Sequence, residues 1–197
     1  MKLGTHNSAT GGKLLTWLRP LTWIINPISK CQGRTIEEQL KDGVRLFNLQ
    51  ITKYKGDWVF SHGLAIYREK LNDALALFEK YATTDNPVYF QLYLDDNLFL
   101  GQPCEEFREL ITDFVERYNK DNKVRLCYGW IEGSKEFFGG IPIDFEEHYW
   151  TLGWAKNNAL SIIDYLPLPK RHAKEWNALY KVDCKAKYLM LDFYELD

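Results

Sequence analysis

The run Thr35–Leu64, TIEEQLKDGVRLFNLQITKYKGDWVFSHGL, decides the fold. Thr35 with Glu38 makes a capping box, and Ile36, Gln39 and Leu40 continue a short helix that stops at Gly43. VRLFNLQI then alternates: Leu46, Asn48 and Gln50 share one face of a strand, and Arg45, Phe47, Leu49 and Ile51 share the other. A strand carrying two amides late on one face aims polar groups at a site. After the turn Lys53-Tyr54-Lys55-Gly56-Asp57, the apolar run Trp58-Val59-Phe60 is predicted to end at His62, followed by Gly63, where the backbone turns freely.

Outward from this stretch, Lys2 to Thr5 is a brief extended segment leading into His6, and SATGG after it reads as loop. Leu14 to Ile25, LLTWLRPLTWII, is broken at Pro20, so a kinked or paired helical segment is expected. Its Trp17 and Trp23 suit either packing over the mouth of the fold or contact with a membrane surface. Tyr67 to Ala82 has Leu71, Ala74, Leu75 and Phe78 at helical spacing, and VYFQLYLDD alternates again, placing Tyr89, Gln91, Tyr93 and Asp95 on one side. A helix over Pro103–Tyr118 and a strand from Val124 follow, and then a loop-rich stretch over residues 132–145. Strands over 148–155 and 159–166, a helix over 171–180 and a last strand over 188–194, with Met190 and Asp192 on one face, complete the pattern.

Strand and helix alternate, which calls for a parallel sheet with helices outside it. Closing the strands into an α/β barrel brings Asn48, Gln50, Asp95 and Asp192 to the C-terminal mouth, where barrel enzymes do their chemistry. A full eight-stranded barrel takes roughly 250 residues. The 197 residues here therefore predict a compact, irregular TIM-type barrel, one domain over residues 1–197.

The balance of 25 Lys+Arg against 27 Asp+Glu gives no electrostatic reason for nucleic acid as a partner. Cys31, Cys104, Cys127 and Cys184 are widely spaced and read as reduced and mostly buried. MKLGTHNSATGG lacks an apolar core of signal-peptide length, and no run approaches the roughly 18 to 20 apolar residues of a membrane span, so a cytoplasmic protein is expected.

His6 and His62 are the candidate acid/base pair, each at the end of an extended segment, because imidazole titrates near neutral pH. Asp192 is the candidate third member, a carboxylate able to fix an imidazole's tautomer, with a structural ion pair as its alternative role. His148 and His172 read as packing or surface residues. No H-E-x-x-H, phosphate-cradling glycine loop or G-x-S-x-G motif is present.

GTHNS, CQGRTIEEQLKDGVRLFNLQI and VFSHGL, in that order, resemble the catalytic X region of the phosphatidylinositol-specific phospholipase C family, and YLMLDFY resembles that family's last barrel strand. The resemblance covers roughly the first half of the chain and this final strand. It implies a distorted TIM barrel that cleaves a phosphoinositide or related phosphodiester through a cyclic phosphate. His6 would be the base that activates the inositol 2-hydroxyl, Asp192 its orienting partner, and His62 the acid that protonates the leaving diacylglycerol oxygen. Peripheral membrane contact goes with such a substrate.

The chain departs from that family where the phosphate charge is handled. Metal-independent bacterial members have Asp and Arg at the positions of Asn48 and Gln50, and calcium-dependent members have Glu and Asp there. Neutral amides supply neither a guanidinium nor the carboxylates a hard cation prefers. The expected substrate-binding set is therefore Asn7, Asn48, Gln50, Asp95 and Arg125, with Arg125, Lys53 or Lys13 as the missing cation. No cofactor is expected; the alternative is Ca2+ on Asn7, Asn48 and Asp95. The competing reading is a non-catalytic barrel that binds a phosphorylated headgroup or a protein partner. A glycerophosphodiester phosphodiesterase reading is weaker, since that branch needs carboxylates at the two amide positions. Trp130, Tyr149, Trp150, Trp154 and Tyr165 suit a ring-stacking pocket or an ordinary core.

Overall fold

The computed structural model describes residues 1–97, 99–131, 136–149, 155–157 and 166–196. Strand β1 (Lys2–Thr5) leads into a 3-10 turn (Ser8–Gly11). A second 3-10 turn (Thr16–Leu21) holding Pro20 runs into helix α1 (Thr22–Ser29), so the broken segment is a pair of helical pieces as expected. Helix α2 (Ile36–Lys41) starts at the predicted box: Glu38 N donates to Thr35 Oγ1 at 3.4 Å, and Thr35 N donates to Glu38 Oε2 at 2.8 Å. It stops because Gly43 takes φ +91°, open to a residue without Cβ.

Strand β2 (Leu46–Tyr54) continues into the antiparallel β3 (Asp57–His62) and β4 (Ala65–Lys70). The predicted helix from Tyr67 therefore loses its first turn to a strand. Ser61 pairs with Ile66 and His62 with Ala65, and the buried run Ala65-Ile66-Tyr67 has no polar side, which a surface helix would need. Helix α3 (Leu71–Tyr81) begins where the helical spacing does.

Strand β5 (Val88–Leu94), helix α4 (Cys104–Tyr118) and strand β6 (Val124–Ile131) follow as predicted. The stretch read as loop holds a short strand β7 (Glu136–Phe138), antiparallel to β6 and tied to α4 through Arg108–Glu136 at 2.7 Å. Strand β8 (Phe145–His148) comes next; the strands expected over 148–155 and 159–166 fall largely outside the described residues. Helix α5 (Pro169–Asp183) is longer than predicted, with proline at its first position, where a missing N–H costs nothing. Strand β9 (Tyr188–Leu191) stops short of the predicted Tyr194. Phe193 takes φ +42° and donates its N–H to Cys31 O, turning the chain away.

The sheet runs β7-β6-β5-β2-β1-β9-β8, and every pairing from β6 to β8 is parallel. Its outer face carries Phe47, Leu49, Ile51, Phe90, Leu92 and Leu126, buried in the same core as Leu75 and Phe78 of α3 and Phe107, Ile111 and Phe114 of α4. The inner face buries Leu46, Cys127, Tyr188 and Met190 together, from β2, β6 and β9. Strands β6 and β9 lie four places apart in the sheet, so contact between their inner residues requires it to curl. The Tyr89–Tyr188 ring contact at 5.6 Å, from β5 to β9, spans the same hollow. The architecture is thus the expected α/β type, a curled half-barrel that is open between β7 and β8 among the described residues.

Candidate active site

The polar groups gather where β1, β2 and β9 end. Gln32 binds two of these ends at once, donating from Nε2 to His6 O at 2.7 Å and to Leu191 O at 2.8 Å. From α2, Gln39 accepts from Thr5 Oγ1 at 2.8 Å and donates to Ser8 O at 2.7 Å, so the first helix of the deciding stretch holds the His6 loop. Asn7 takes the left-handed conformation (φ +44°), which Asn tolerates better than most residues, and its backbone N–H donates to Asn48 Oδ1 at 3.1 Å.

His6 Nδ1 lies 2.8 Å from Asp192 Oδ1, and Asp192 is 1% exposed. Asn177 on α5 donates to the carbonyls of Asp192 and Phe193 and so holds the turn that presents the carboxylate. With Nδ1–H donated to Asp192, His6 Nε2 is left as a lone pair, and Asn7 Nδ2 sits 3.0 Å from it. That lone pair is what a general base needs.

The His62 ring stands 6.2 Å from that of His6, at 81°. Its Nδ1 is 2.8 Å from Ser29 O, the last residue of α1. Burial, and then the neighbouring His6, lower its pKa from the usual 6.5 to about 4. His62 is therefore neutral at pH 7. Burial likewise lowers His172 to about 4. His148 pairs with Glu146 at 3.2 Å and stacks on Tyr180, so both of these histidines are packing residues, as expected.

These shifts predict acid lability. The unfolded chain protonates His62 near pH 6.5 whereas the folded chain resists protonation until about pH 4, so stability is lost as pH falls through that window. For His62 the full loss is up to about 3 kcal/mol. Urea unfolding at pH 7 and at pH 4.5 measures it. His62→Gln should roughly halve the difference, since His172 keeps its share, and an unchanged slope would contradict the neutral, enclosed imidazole.

The predicted site residues divide. His6, His62, Asp192, Asn7 and Asn48 are brought together. Asn48 Nδ2 donates to Gln91 Oε1 at 3.1 Å, extending the amide row to β5. Gln50 follows on the same face with its Oε1 buried and without a hydrogen-bond partner. Asp95 is buried just past β5, where its charge helps burial to raise the Tyr67 hydroxyl pKa.

Arg125 lies deeper on its strand than the amide row. It pairs with Tyr89, which sits in register with Leu46, at the N-terminal end of the parallel strands. Arg125 thus stands one inner-face layer below Asn48, level with Gly4 of β1, two residues before His6. Lys53 is 3.4 Å from Glu106 of α4, and Lys13 is exposed.

One site neighbour, Cys31, carried no signal that assigned it there; a second, Tyr149, was among the rings suited to a stacking pocket or a core. Cys31, 1% exposed, has its Sγ 3.7 Å from His62 Nδ1 and 3.8 Å from Asn7 Nδ2. Burial, with the Asp192 charge next, raises its thiol pKa well above the usual value. Tyr149 stacks flat on His6, rings 3.6 Å apart, and Tyr93 and Tyr128, joined hydroxyl to hydroxyl at 2.8 Å, extend the aromatic wall. Of the other proposed stacking rings, Trp130 packs edge-on to Phe137, and Trp150, Trp154 and Tyr165 lie outside the described residues.

For a hard cation the donor set fits poorly. The one cluster of three or more His, Cys, Asp or Glu groups among the described residues is His6, Cys31 and Asp192, a nitrogen and sulfur set. Asn48 Oδ1 is already engaged by Asn7 N–H. Ca2+ takes six to eight oxygen ligands, which Asn7, Asn48 and Asp95 do not approach.

No protein-family model matches this chain, and no curated protein matches it. Solved structures do. A double mutant of phosphatidylinositol-specific phospholipase C from Staphylococcus aureus superposes with a TM-score of 0.60 at 16% identity, covering 98% of this chain and 84% of that one. A structure concerned with modulating that enzyme's membrane binding gives 0.60 at 15% identity, covering 98% and 85%. The phosphatidylinositol-specific phospholipase C from Listeria monocytogenes gives 0.55 at 15% identity, covering 98% and 87%. The fold is that of the bacterial phosphatidylinositol-specific phospholipases C.

Proposed function

We propose that this protein is a metal-independent phosphodiesterase of phosphatidylinositol-specific phospholipase C type, acting on a phosphoinositide or a closely related phosphodiester. The observation that carries the reading is the His6–Asp192 pair at 2.8 Å, faced by His62, at the C-terminal ends of the central parallel strands. His6 Nε2 takes the proton of the inositol 2-hydroxyl, whose oxygen attacks phosphorus to form a cyclic phosphate while the bond to the diacylglycerol oxygen breaks. Asp192 stabilises the resulting imidazolium. His62 gives a proton to the leaving oxygen, and water, deprotonated by the now neutral His62, can open the ring. Attack from within the same substrate gains from effective molarity.

His62 must be cationic to act as the acid. The bound phosphate supplies the negative charge that raises its pKa from about 4, so substrate binding loads the donor. Charge on the phosphorane falls to amide donors, Asn7, Asn48 and Gln50, in place of a guanidinium. Losing one strong electrostatic contact commonly costs about 10²- to 10³-fold in rate, so modest turnover is expected. Those neutral amides also favour the second reading, a barrel that binds a phosphorylated headgroup without cleaving it.

Exposed Trp17, Leu21, Trp23, Ile24 and Ile28, on the 3-10 turn and α1 that end at Ser29 by the site, with Phe99 against Trp17, support peripheral membrane contact. No helix among the described residues is long and apolar enough to cross a membrane. Four free cysteines support a reducing, cytoplasmic setting. Trp23→Ala should weaken binding to phosphatidylinositol vesicles about tenfold, or roughly 1.4 kcal/mol, with much less effect on a water-soluble inositol phosphodiester. Equal losses on both substrates would argue against membrane contact.

The deciding experiment is turnover of phosphatidylinositol and of a soluble inositol phosphodiester by purified protein, in EDTA and with Ca2+. Cyclic phosphate released in EDTA supports the proposal. Headgroup binding without turnover supports the second reading, and turnover only with Ca2+ overturns the metal-free mechanism.

A further inference from the structure

Cys31 has no part in the acid/base scheme, yet its thiol sits inside it. The Sγ lies 3.7 Å from His62 Nδ1, and ligand atoms of Cys31, His6 and Asp192 all fall within 4.8 Å of one another. Tetrahedral Zn2+ holds thiolate at about 2.3 Å and imidazole or carboxylate at about 2.0 to 2.2 Å, which sets ligand atoms roughly 3.4 to 3.7 Å apart. The widest pair need close by only about 1 Å.

Donor chemistry selects the ion. Thiolate and imidazole favour Zn2+ and its thiophilic relatives over Ca2+ and Mg2+. The site is also anchored: Thr10 Oγ1 accepts from Cys31 N at 2.9 Å, and Cys31 O accepts from Phe193 N at 2.7 Å, next to Asp192. Backbone bonds on both sides therefore hold the thiol against the carboxylate. Asn7 Oδ1, buried among these groups without a hydrogen-bond partner, leaves a further oxygen donor at the site.

We infer that Cys31, His6 and Asp192 form a site for a thiophilic divalent cation such as Zn2+, whose occupancy switches the acid/base apparatus off. The cation displaces the thiol proton to solvent as the sulfur–metal bond forms, and it engages the lone pairs that would otherwise carry protons. Binding rests on geometry alone. The inhibitory consequence rests on the phosphodiesterase reading.

The test titrates chelator-treated full-length protein with Co2+, without substrate, so its outcome is independent of whether the protein is an enzyme. The expected result is a near-ultraviolet thiolate-to-cobalt charge-transfer band saturating at one ion per chain, abolished by Zn2+ but not by Ca2+. Cys31→Ser should lose the band, and Cys127→Ser should keep it. Asp192→Asn should keep the band with metal affinity at least about tenfold weaker, since even indirect partners of a metal site are worth that much. Circular dichroism checks the fold of each variant, and Asp192→Asn decides the matter if Cys31→Ser does not fold. No band in the wild type, a band that survives Cys31→Ser, or unchanged affinity in Asp192→Asn would overturn the site. With cleavage established, Zn2+ inhibition at the concentration that fills the site is the expected second result, and undiminished turnover at saturation would overturn the switch.

Discussion

His6→Ala should lower kcat on phosphatidylinositol about 10²- to 10⁴-fold, in EDTA as well as with added Ca2+, because it removes the general base of the proposed attack. Asp192→Asn tests the same pair differently. The amide can still meet Nδ1 across the 2.8 Å contact, but it carries no charge to stabilise an imidazolium. A loss of at least about 10²-fold in kcat is expected there, with little change in KM. His62→Ala should be as severe for a substrate with a poor leaving group and milder for one whose leaving group departs unprotonated.

The pH profile separates the two histidines. The profile of kcat/KM reports the free enzyme, in which His62 has a pKa of about 4, so kcat/KM should decline from mildly acidic pH upward. The profile of kcat reports the complex, in which phosphate has raised that pKa, so its decline should come at higher pH. His6→Ala retaining activity within a few-fold of wild type would sink the mechanism. Coincident profiles would sink the loading of His62 by substrate.

Phe90→Ala should cost about 3 to 5 kcal/mol of folding stability. Phe90 is fully buried on the outer face of β5, with rings of Phe78 at 6.0 Å, Phe114 at 6.2 Å and Tyr118 at 5.3 Å. These come from both α3 and α4, so truncation opens a cavity at the junction that fastens the helices to the sheet. Against a typical total of about 5 to 15 kcal/mol, that is a large fraction. Urea denaturation measures it at neutral pH, where His62 and His172 are both unprotonated. A loss below about 1 kcal/mol would mean that the cluster collapses to fill the space.

Much of this arrangement is legible in single stretches of chain. The Thr35/Glu38 box, the alternation through β2 and β5 and the helical spacing of α3 and α4 depend on neighbours a few residues apart, and each appears where it was expected. Strand β4 was not legible from Tyr67 onward, because its apolar residues fit a helix face equally well and only pairing with β3 decides between them. Asp192 was placed on the inner face with Met190, and the structure puts it there although the strand ends one residue earlier.

The sequence by itself determined the periods, the caps, the face each strand residue occupies and the two segments that end in histidine, because local backbone geometry dictates these. Only the tertiary structure decided depth and company. Arg125 shares the inner face with Asn48 but occupies another layer, since stagger between strands is set by packing and not by alternation. The His6–Asp192 contact joins residues 186 positions apart, and the Cys31–His62 contact joins residues 31 apart. The depressed pKa of His62 is likewise a property of enclosure. Electrostatic interactions and burial act through space, so how this constellation handles protons is written in the distances between segments that local patterns do not encode.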